Sequence, residues 1–303
     1  MKIDIIYTYY NGSIGSINLL EKYIDHWNNN FNNVKHKVNF VIVDDHSVDS
    51  YKAINTIEKK DVNCNLQLYY VEDDILWNEM GARNLGGSQT TSDILLFLDW
   101  DHLITENLIN EIFTWTFNTQ SLYLFLKTKL PRHHPLWDQD PKTFRKVKDG
   151  TKDHLGEYKG TLHPLAGCDY DEWLQKTRVI QLRDKKSKLK ASDPSAFCLS
   201  RELWYKVGGF DEDFAGAYGE YDRTFRKNLY NYKAKEITMN KAPLISLKQG
   251  RTRNVLRASM PERKVEENGY KRNKELYKEK TRSFYTPISP IRFKYTKQYE
   301  NFI

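Results

Sequence analysis

The sequence predicts an α/β protein built on a doubly wound, Rossmann-like parallel sheet, and three observations carry that expectation. Over the first 126 residues, short apolar or aromatic runs alternate with longer amphipathic stretches, the pattern of βαβ units. The short runs are continuously apolar, as strands covered on both faces must be. Polar clusters follow three of them, at the carboxyl ends of strands where such sheets hold ligands.

In chain order, the expected strands are Ile3 to Tyr9, Phe40 to Val43, Leu66 to Val71, Ile94 to Leu98 and Leu122 to Leu126. The expected helices are Ile14 to Trp27, Val48 to Glu58, Glu79 to Gly86 and Glu106 to Phe117. From Lys127 to about Lys190 the pattern breaks, punctuated by Pro131, Pro135, Pro141, Gly150, Gly156, Gly160, Pro164 and Gly167, and reads as a long insertion crossing the active face. Order returns with Ser195 to Leu199, a helix from about Arg201, the turn Gly208-Gly209-Phe210-Asp211 and a helix from about Gly219. A charged helix is expected from Pro261 and Glu262 to about Lys280, and the last twenty residues, rich in Tyr, Lys and Pro, read as a tail. No internal repeat is present.

Composition narrows the function classes. The 303 residues are 39% hydrophobic with a mean hydropathy of -0.73, and runs such as Ile94 to Leu98 fall far short of a spanning helix of ~18 apolar residues. The N-terminal Met1-Lys2-Ile3-Asp4 enters a strand directly, without the basic and apolar regions of a signal peptide, which sets the expectation of a cytoplasmic protein. Cys64, Cys168 and Cys198 fit neither a zinc site nor a disulfide framework, as expected in a reducing compartment. The net charge of +7 taken whole points to nucleic acid, an anionic membrane surface or an acidic substrate. Its distribution says otherwise: residues 251–303 hold 14 Lys+Arg against 6 Asp+Glu, and 127–190 hold 16 against 9, so the remainder is acidic. An acidic body with two basic attachments argues against a uniformly basic nucleic-acid binder.

Four segments carry candidate chemistry. Asp99-Trp100-Asp101 places two carboxylates at i and i+2 where the most hydrophobic strand opens into a loop, a set of hard oxygens suited to Mg²⁺ or Mn²⁺ that also grips a diphosphate. The bland alternative is a pair of polar loop residues. Asp44-Asp45 ends the second strand and can accept from a nucleobase imide or ribose hydroxyls, or else Asp45 or Ser47 caps the next helix. Gly81 and Ala82 permit close backbone approach and Arg83 offers a fork for phosphate, against the alternative of an ordinary surface helix. After the glycine turn, Glu220 and Asp222 stand at a helix start, where one could act as general base, although the helix dipole alone favours acids there. Neither G-x-G-x-x-G nor G-x-x-x-x-G-K-[ST] follows the first strand, which lowers the odds of a dehydrogenase or P-loop enzyme.

Together, I-Y-T-Y-Y-N, V-D-D-H-S, G-A-R-N-L-G, L-F-L-D-W-D-H and G-G-F-D-E-D-F…G-E-Y-D resemble the GT-A glycosyltransferases over about residues 1–250, closest to the inverting family 2 and to galactosyl- and N-acetylgalactosaminyltransferase catalytic domains. The resemblance implies a GT-A domain over 1–250, made of a nucleotide-sugar half (1–126), an acceptor-side insertion (127–190) and a catalytic-base segment (191–250), with a basic helical extension over 251–303. It implies that Thr8, Tyr10, Asp45, Arg83 and Asp99 bind the nucleotide sugar, more expectedly uridine-linked, that Asp101 and Asp99 hold Mn²⁺ or Mg²⁺, and that Glu220 or Asp222 is the base of an in-line displacement at the anomeric carbon. Trp137, Trp173 and Tyr170 would shape the side that takes a glycan, polysaccharide or glycoconjugate acceptor, and the extension offers peripheral membrane contact.

Two departures from the family pattern stand out. Tyr221 occupies the Asp slot of the usual Glu-Asp pair, and the stretch Ser246 to Gly250 lacks the metal-binding His of many relatives. Lys248 and Arg251 are candidates to supply positive charge to the diphosphate instead, while His102 and the insertion histidines remain candidate ligands. Two other classes stay open: a nucleotidyltransferase of similar fold, disfavoured because Thr8 to Gly15 has no Lys or Arg, and a nucleic-acid or membrane-surface binder driven by the basic tail.

Overall fold

A computed structural model describes residues 1–10, 19–31, 33–34, 37–100, 102–114, 117–129, 196–246, 263–287 and 291–302. Nearly all of the expected insertion, with Trp137, Tyr170 and Trp173, lies outside the described residues, as do Asp101, Lys248 and Arg251.

The strands are β1 (Ile3–Tyr9), β2 (Val38–Asp44), β3 (Asn65–Val71), β4 (Ile94–Asp99), β5 (His102–Leu103), β6 (Ser121–Lys129), β7 (Ala196–Ser200), β8 (Lys235–Ser246) and β9 (Tyr295–Asn301). They join one sheet in the order β5-β8-β6-β7-β4-β1-β2-β3-β9. Strands β4, β1, β2 and β3 run parallel, while β7 lies antiparallel between β4 and β6. The chain moves outward from β1 through β2 to β3 and then returns to β4 on the other side of β1, which puts the topological switch point between β1 and β4.

Helices cover both faces: α1 (Leu19–Asn30), α2 (Ala53–Ile57), α3 (Glu79–Ser88), α4 (Glu106–Thr114), α5 (Arg201–Val207), α6 (Tyr221–Asn231) and α7 (Arg263–Lys280). The period-2 geometry of a strand divides the core between them. Ile3, Ile5 and Tyr7 of β1 and Ile94, Leu96 and Leu98 of β4 pack with Leu20, Ile24 and Trp27 of α1 and Leu108 and Ile112 of α4. Ile6, Leu95 and Phe97 point the other way, onto Met80 and Leu85 of α3, Leu203 and Trp204 of α5 and Phe225 of α6. A side chain at Gly86 would stand 2.4 Å from Ile6 Cγ2, so glycine there lets α3 lie directly on β1.

The doubly wound expectation is therefore met, with three differences. The stretch expected as one helix over 48–58 is a 3-10 turn, Asp49–Tyr51, followed by the short α2, because Asp44 interrupts it by accepting from the Ser47 and Ala53 amides at 2.9 and 2.8 Å. Strand β6 continues to Lys129, past the expected start of the insertion. The expected tail is no tail: β9 pairs antiparallel with β3 and closes that edge of the sheet, and the Glu72 amide donates to the Lys294 carbonyl at 2.9 Å. Among the described residues no helix is long and apolar enough to cross a membrane.

Candidate active site

The switch point brings the first two clusters together. Thr8, half-buried, lies opposite Asp99 in the β1–β4 register and opposite Val43 in the β1–β2 register, and Tyr10 just beyond is exposed. The Asp45 amide donates to the Tyr9 carbonyl at 2.8 Å, tying the ends of β1 and β2. Asp99 is the last residue of β4.

Trp100, the middle residue of the D-W-D, turns into an aromatic nest. Its ring meets Tyr9 edge-on at 4.8 Å, Tyr23 at 4.9 Å and Tyr7 at 5.6 Å. The phenols add hydrogen bonds: Tyr23 Oη donates to the Trp100 carbonyl at 2.8 Å and Tyr7 Oη to the His102 carbonyl at 3.1 Å. His26 Nε2 lies 3.0 Å from the Ile104 carbonyl. Burial pushes the Tyr7 phenol well up, so it stays a neutral donor. Trp100, His102 and Ile104, which follow Asp99, are thus held by residues of β1 and α1.

The adjacent aspartates at the end of β2 divide their work. Asp44 is fully buried and serves the backbone, accepting from the amides that shape the turn into α2. Neither Asp45 nor Ser47 caps the next helix: Val48 and Lys52 stand at the N-cap positions of the 3-10 turn and α2, and Asp44 takes the Ala53 amide. Asp45 instead faces α3, where Asn78 Nδ2 donates to its Oδ1 at 3.1 Å. Burial, reinforced by the charges of Asp44 and Glu79, pushes its carboxyl up to about 7.

Helix α3 is the hub, and the ordinary surface helix is ruled out: Met80 through Gly87 are buried. Polar side chains from its first half and the residue before it reach four places. Asn78 holds Asp45. Arg83, 1% exposed, pairs with Asp99 and, at 2.8 Å, with Glu79 one turn earlier. Glu79 in turn accepts from Tyr221 Oη at 2.6 Å. Asn84 Nδ2 donates to the Phe210 carbonyl and to Glu212 Oε1, both at 2.8 Å, and its Oδ1 accepts from the Phe210 amide at 2.9 Å. Burial alone would depress the Arg83 guanidinium, but the Glu79 and Asp99 carboxylates outweigh it and hold the group above its ordinary value. The Arg83 fork expected to grip phosphate is closed on two carboxylates and lies over the Phe210 ring at 5.1 Å.

Glu220 stands at the N-terminus of α6 in a left-handed conformation, φ 69°, directly after Gly219 at φ 100°. Its carbonyl accepts from the Thr224 amide and hydroxyl, both at 2.9 Å, which binds the strained residue to the first turn. The side chain is 4% exposed and pairs with Arg223, itself largely exposed, at 2.7 Å. Asp222 is half-buried in the first turn of α6. Tyr221, the departure from the family pattern, sends its hydroxyl to Glu79; burial and then the nearby Glu79 and Asp222 charges raise that phenol well above its ordinary value.

One chain of contacts therefore runs Asp99, Arg83, Glu79, Tyr221 and joins the end of β4 to the helix that begins at Glu220. Sequence reading missed Asn78, Glu79 and Asn84 as site residues. Only the Glu79–Arg83 spacing of four on a helix offered a signal. Among the described residues, no group of three or more His, Cys, Asp or Glu could hold a metal ion.

The sheet thus carries acidic strand ends at its switch point, and α3 links one of them to an acidic helix start. Residues 21–281 match the family described as Glycosyltransferase like family 2, and the chain belongs to that family. Similar solved structures include mannosyltransferase PcManGT from Pyrobaculum calidifontis in complex with GDP-Man and Mn²⁺, at 18% identity and a TM-score of 0.51 over 84% of this chain and 59% of that one. S. aureus TarS 1-349 in complex with UDP-GlcNAc aligns at 17% identity, TM-score 0.50, over 82% of this chain and 59% of that one. GalNAc-T7 with UDP, GalNAc and Mn²⁺ aligns at 14% identity, TM-score 0.50, over 81% of this chain and 43% of that one. These likenesses show a shared GT-A fold, and the chain spans less than two thirds of the length of each of these structures. No curated protein matches the sequence.

Proposed function

We propose that the protein transfers a sugar from a nucleotide-diphosphate donor, a UDP-sugar first among candidates, to a hydroxyl of a glycan, polysaccharide or glycoconjugate, with inversion and with a divalent cation, in the cytoplasm. The observation that supports this best is the α3 hub, which fixes a nucleotide-side carboxylate, Asp45, a β4-end carboxylate, Asp99, and the helix that starts at Glu220 from one rigid element. GDP-Man, UDP-GlcNAc and Mn²⁺ in the related folds are consistent with that donor class and cation.

The donor set fits a hard cation in kind, since Asp99 presents carboxylate oxygen at the end of β4. Asp101 would be the main ligand and Asp99 the assistant, a reading supported by the charge that Asp99 shares with Arg83. A Mg²⁺ or Mn²⁺ held there supplies Lewis-acid neutralisation of the diphosphate. Asp45 accepts a hydrogen bond from the nucleobase or ribose, with Thr8 and Tyr10 lining the same strand end. Arg83 acts as a positioning residue, holding Asp99 and Glu79 rather than touching phosphate. Glu220, or Asp222 two residues on, removes the proton from the acceptor hydroxyl as its oxygen attacks the anomeric carbon. The bond from that carbon to the diphosphate oxygen breaks, releasing the nucleoside diphosphate. Arg223 opposes this while paired to Glu220, so binding of the acceptor must loosen that pair for Glu220 to serve.

A screen of nucleotide sugars, with and without Mn²⁺, tests the reading. Metal-dependent binding of one nucleotide and turnover of its sugar are expected. Absence of both across the panel would remove the proposal, and release of pyrophosphate from a nucleoside triphosphate would favour the nucleotidyltransferase.

A further inference from the structure

Helix α7, in the basic extension read from the sequence as a docking element, packs on the loop that delivers Glu220. Helix α7 carries Asn273, which is 0% exposed, and its Nδ2 stands among backbone carbonyls of that loop: Ala217 at 3.0 Å, Phe214 and Gly219 at 3.2 Å and Tyr218 at 3.5 Å. Converging carbonyl dipoles repel one another unless a donor sits between them, and a side-chain amide supplies two N–H groups in one plane. Asn273 Oδ1 is buried and has no hydrogen-bond partner among the described residues. The loop also needs outside support, because Glu220, a residue with a side chain, lies at a positive φ of 69°.

The rest of α7 is shaped to the same surface. A side chain at Gly269 would meet Ala217 Cβ at 2.5 Å, and the Tyr270 ring covers Gly219, where an added Cβ would lie 2.7 Å from it. Arg272 Nη1 donates to the Ala215 carbonyl at 3.0 Å. Tyr277 packs under the guanidinium of Arg223, 4.7 Å from its ring centre, and Arg223 is the cation paired with Glu220. At the far end of the helix, Lys280 pairs with Asp211 at 2.7 Å, where the loop begins.

We propose that α7 is part of the catalytic apparatus and that Asn273 is a positioning residue, fixing the 214–219 backbone so that Glu220 meets the acceptor hydroxyl. The proposal rests on the reading of Glu220 as the base. It separates α7 from the donor side: Asn273 contacts none of the strand ends that would hold the nucleotide, so its loss acts on transfer and spares donor binding. Displacement of a reacting group by about 1 Å costs roughly a hundredfold in rate.

The test uses the full chain. In Asn273→Ala, kcat for transfer should fall roughly a hundredfold while the donor KM and the nucleotide Kd stay within about twofold, measured where unfolding curves show the variant folded. Tyr270→Ala, at a half-exposed position, should show the same split to a smaller degree, and serves should Asn273→Ala not fold. Lys271→Ala, an exposed position on the same helix, should behave as wild type. Amide exchange across 214–222 should quicken about tenfold or more in Asn273→Ala with β1 unchanged, a readout that needs no substrate. If the wild type transfers no sugar, the functional reading fails and exchange alone judges the positioning. A kcat within about threefold of wild type in the folded variants, or unchanged exchange where no transfer exists, would overturn the proposal.

Discussion

The ends of β1, β2 and β4 and the Glu220 loop are held in different ways. Thr8 and Asp99 take their positions from parallel strands in register, Asp45 follows β2 directly, and α3 adds Asn78 to Asp45 and Arg83 to Asp99. The Glu220 loop is not itself part of the sheet. Asn84 and Tyr221 tie it to α3, more than a hundred residues away, and Asn273 and Lys280 hold it from α7. Regular structure needs few side-chain specifications, whereas a loop of positive-φ residues needs many long-range ones.

Three substitutions probe that contrast, in decreasing order of effect. Arg83→Leu removes the buried cation that both regions share, leaving Glu79 and Asp99 without it, and should destabilise the protein by about 3–5 kcal/mol. Urea unfolding should show one cooperative transition at a lower midpoint; a variant as stable as wild type would show that the two regions do not depend on the hub. Tyr221→Phe removes only the link from Glu79 to α6, with an expected loss of about 1–3 kcal/mol and no change in nucleotide binding. Weakened nucleotide binding in this variant would mean the regions are less separable than their supports suggest.

The smallest effect is a pH dependence at Asp45. Its carboxyl sits at about 7 when folded, against an ordinary value of 3.8, so the folded state keeps a proton that the unfolded chain has released over that interval. Stability from this group is full below about pH 4, declines as pH rises and is lost above about 7. Asp45→Asn, which still accepts from Asn78, should therefore gain stability over wild type between pH 5 and pH 8. Parallel urea midpoints at the two pH values would deny the effect.

The same contrast explains what could be read from the sequence. The parallel strands announce themselves by unbroken apolar runs, and Asp45, Asp99 and Glu220 by standing where those runs or a glycine turn end. The role of Asn273 left no trace, since one Asn in a helix of Lys and Glu looks like any solvated position until the loop carbonyls are brought to it. Strand β9 was hidden for a related reason: Tyr295–Asn301 is mostly polar because it lies at a sheet edge, with a burial pattern that is exposed or intermediate throughout. Arg83 suggested phosphate by its type, and only the packing of α3 revealed that its Nη2 meets Glu79 and Asp99.

The most direct test of the division of labour is a paired measurement of Mn²⁺-dependent nucleotide binding and single-turnover transfer in Asp101→Ala and Glu220→Gln. The account predicts that Asp101→Ala loses metal-dependent binding, while Glu220→Gln binds nucleotide as wild type does and loses transfer by about 10²–10⁴-fold. Glu220→Gln transferring at the wild-type rate, or losing binding and transfer together, would contradict it.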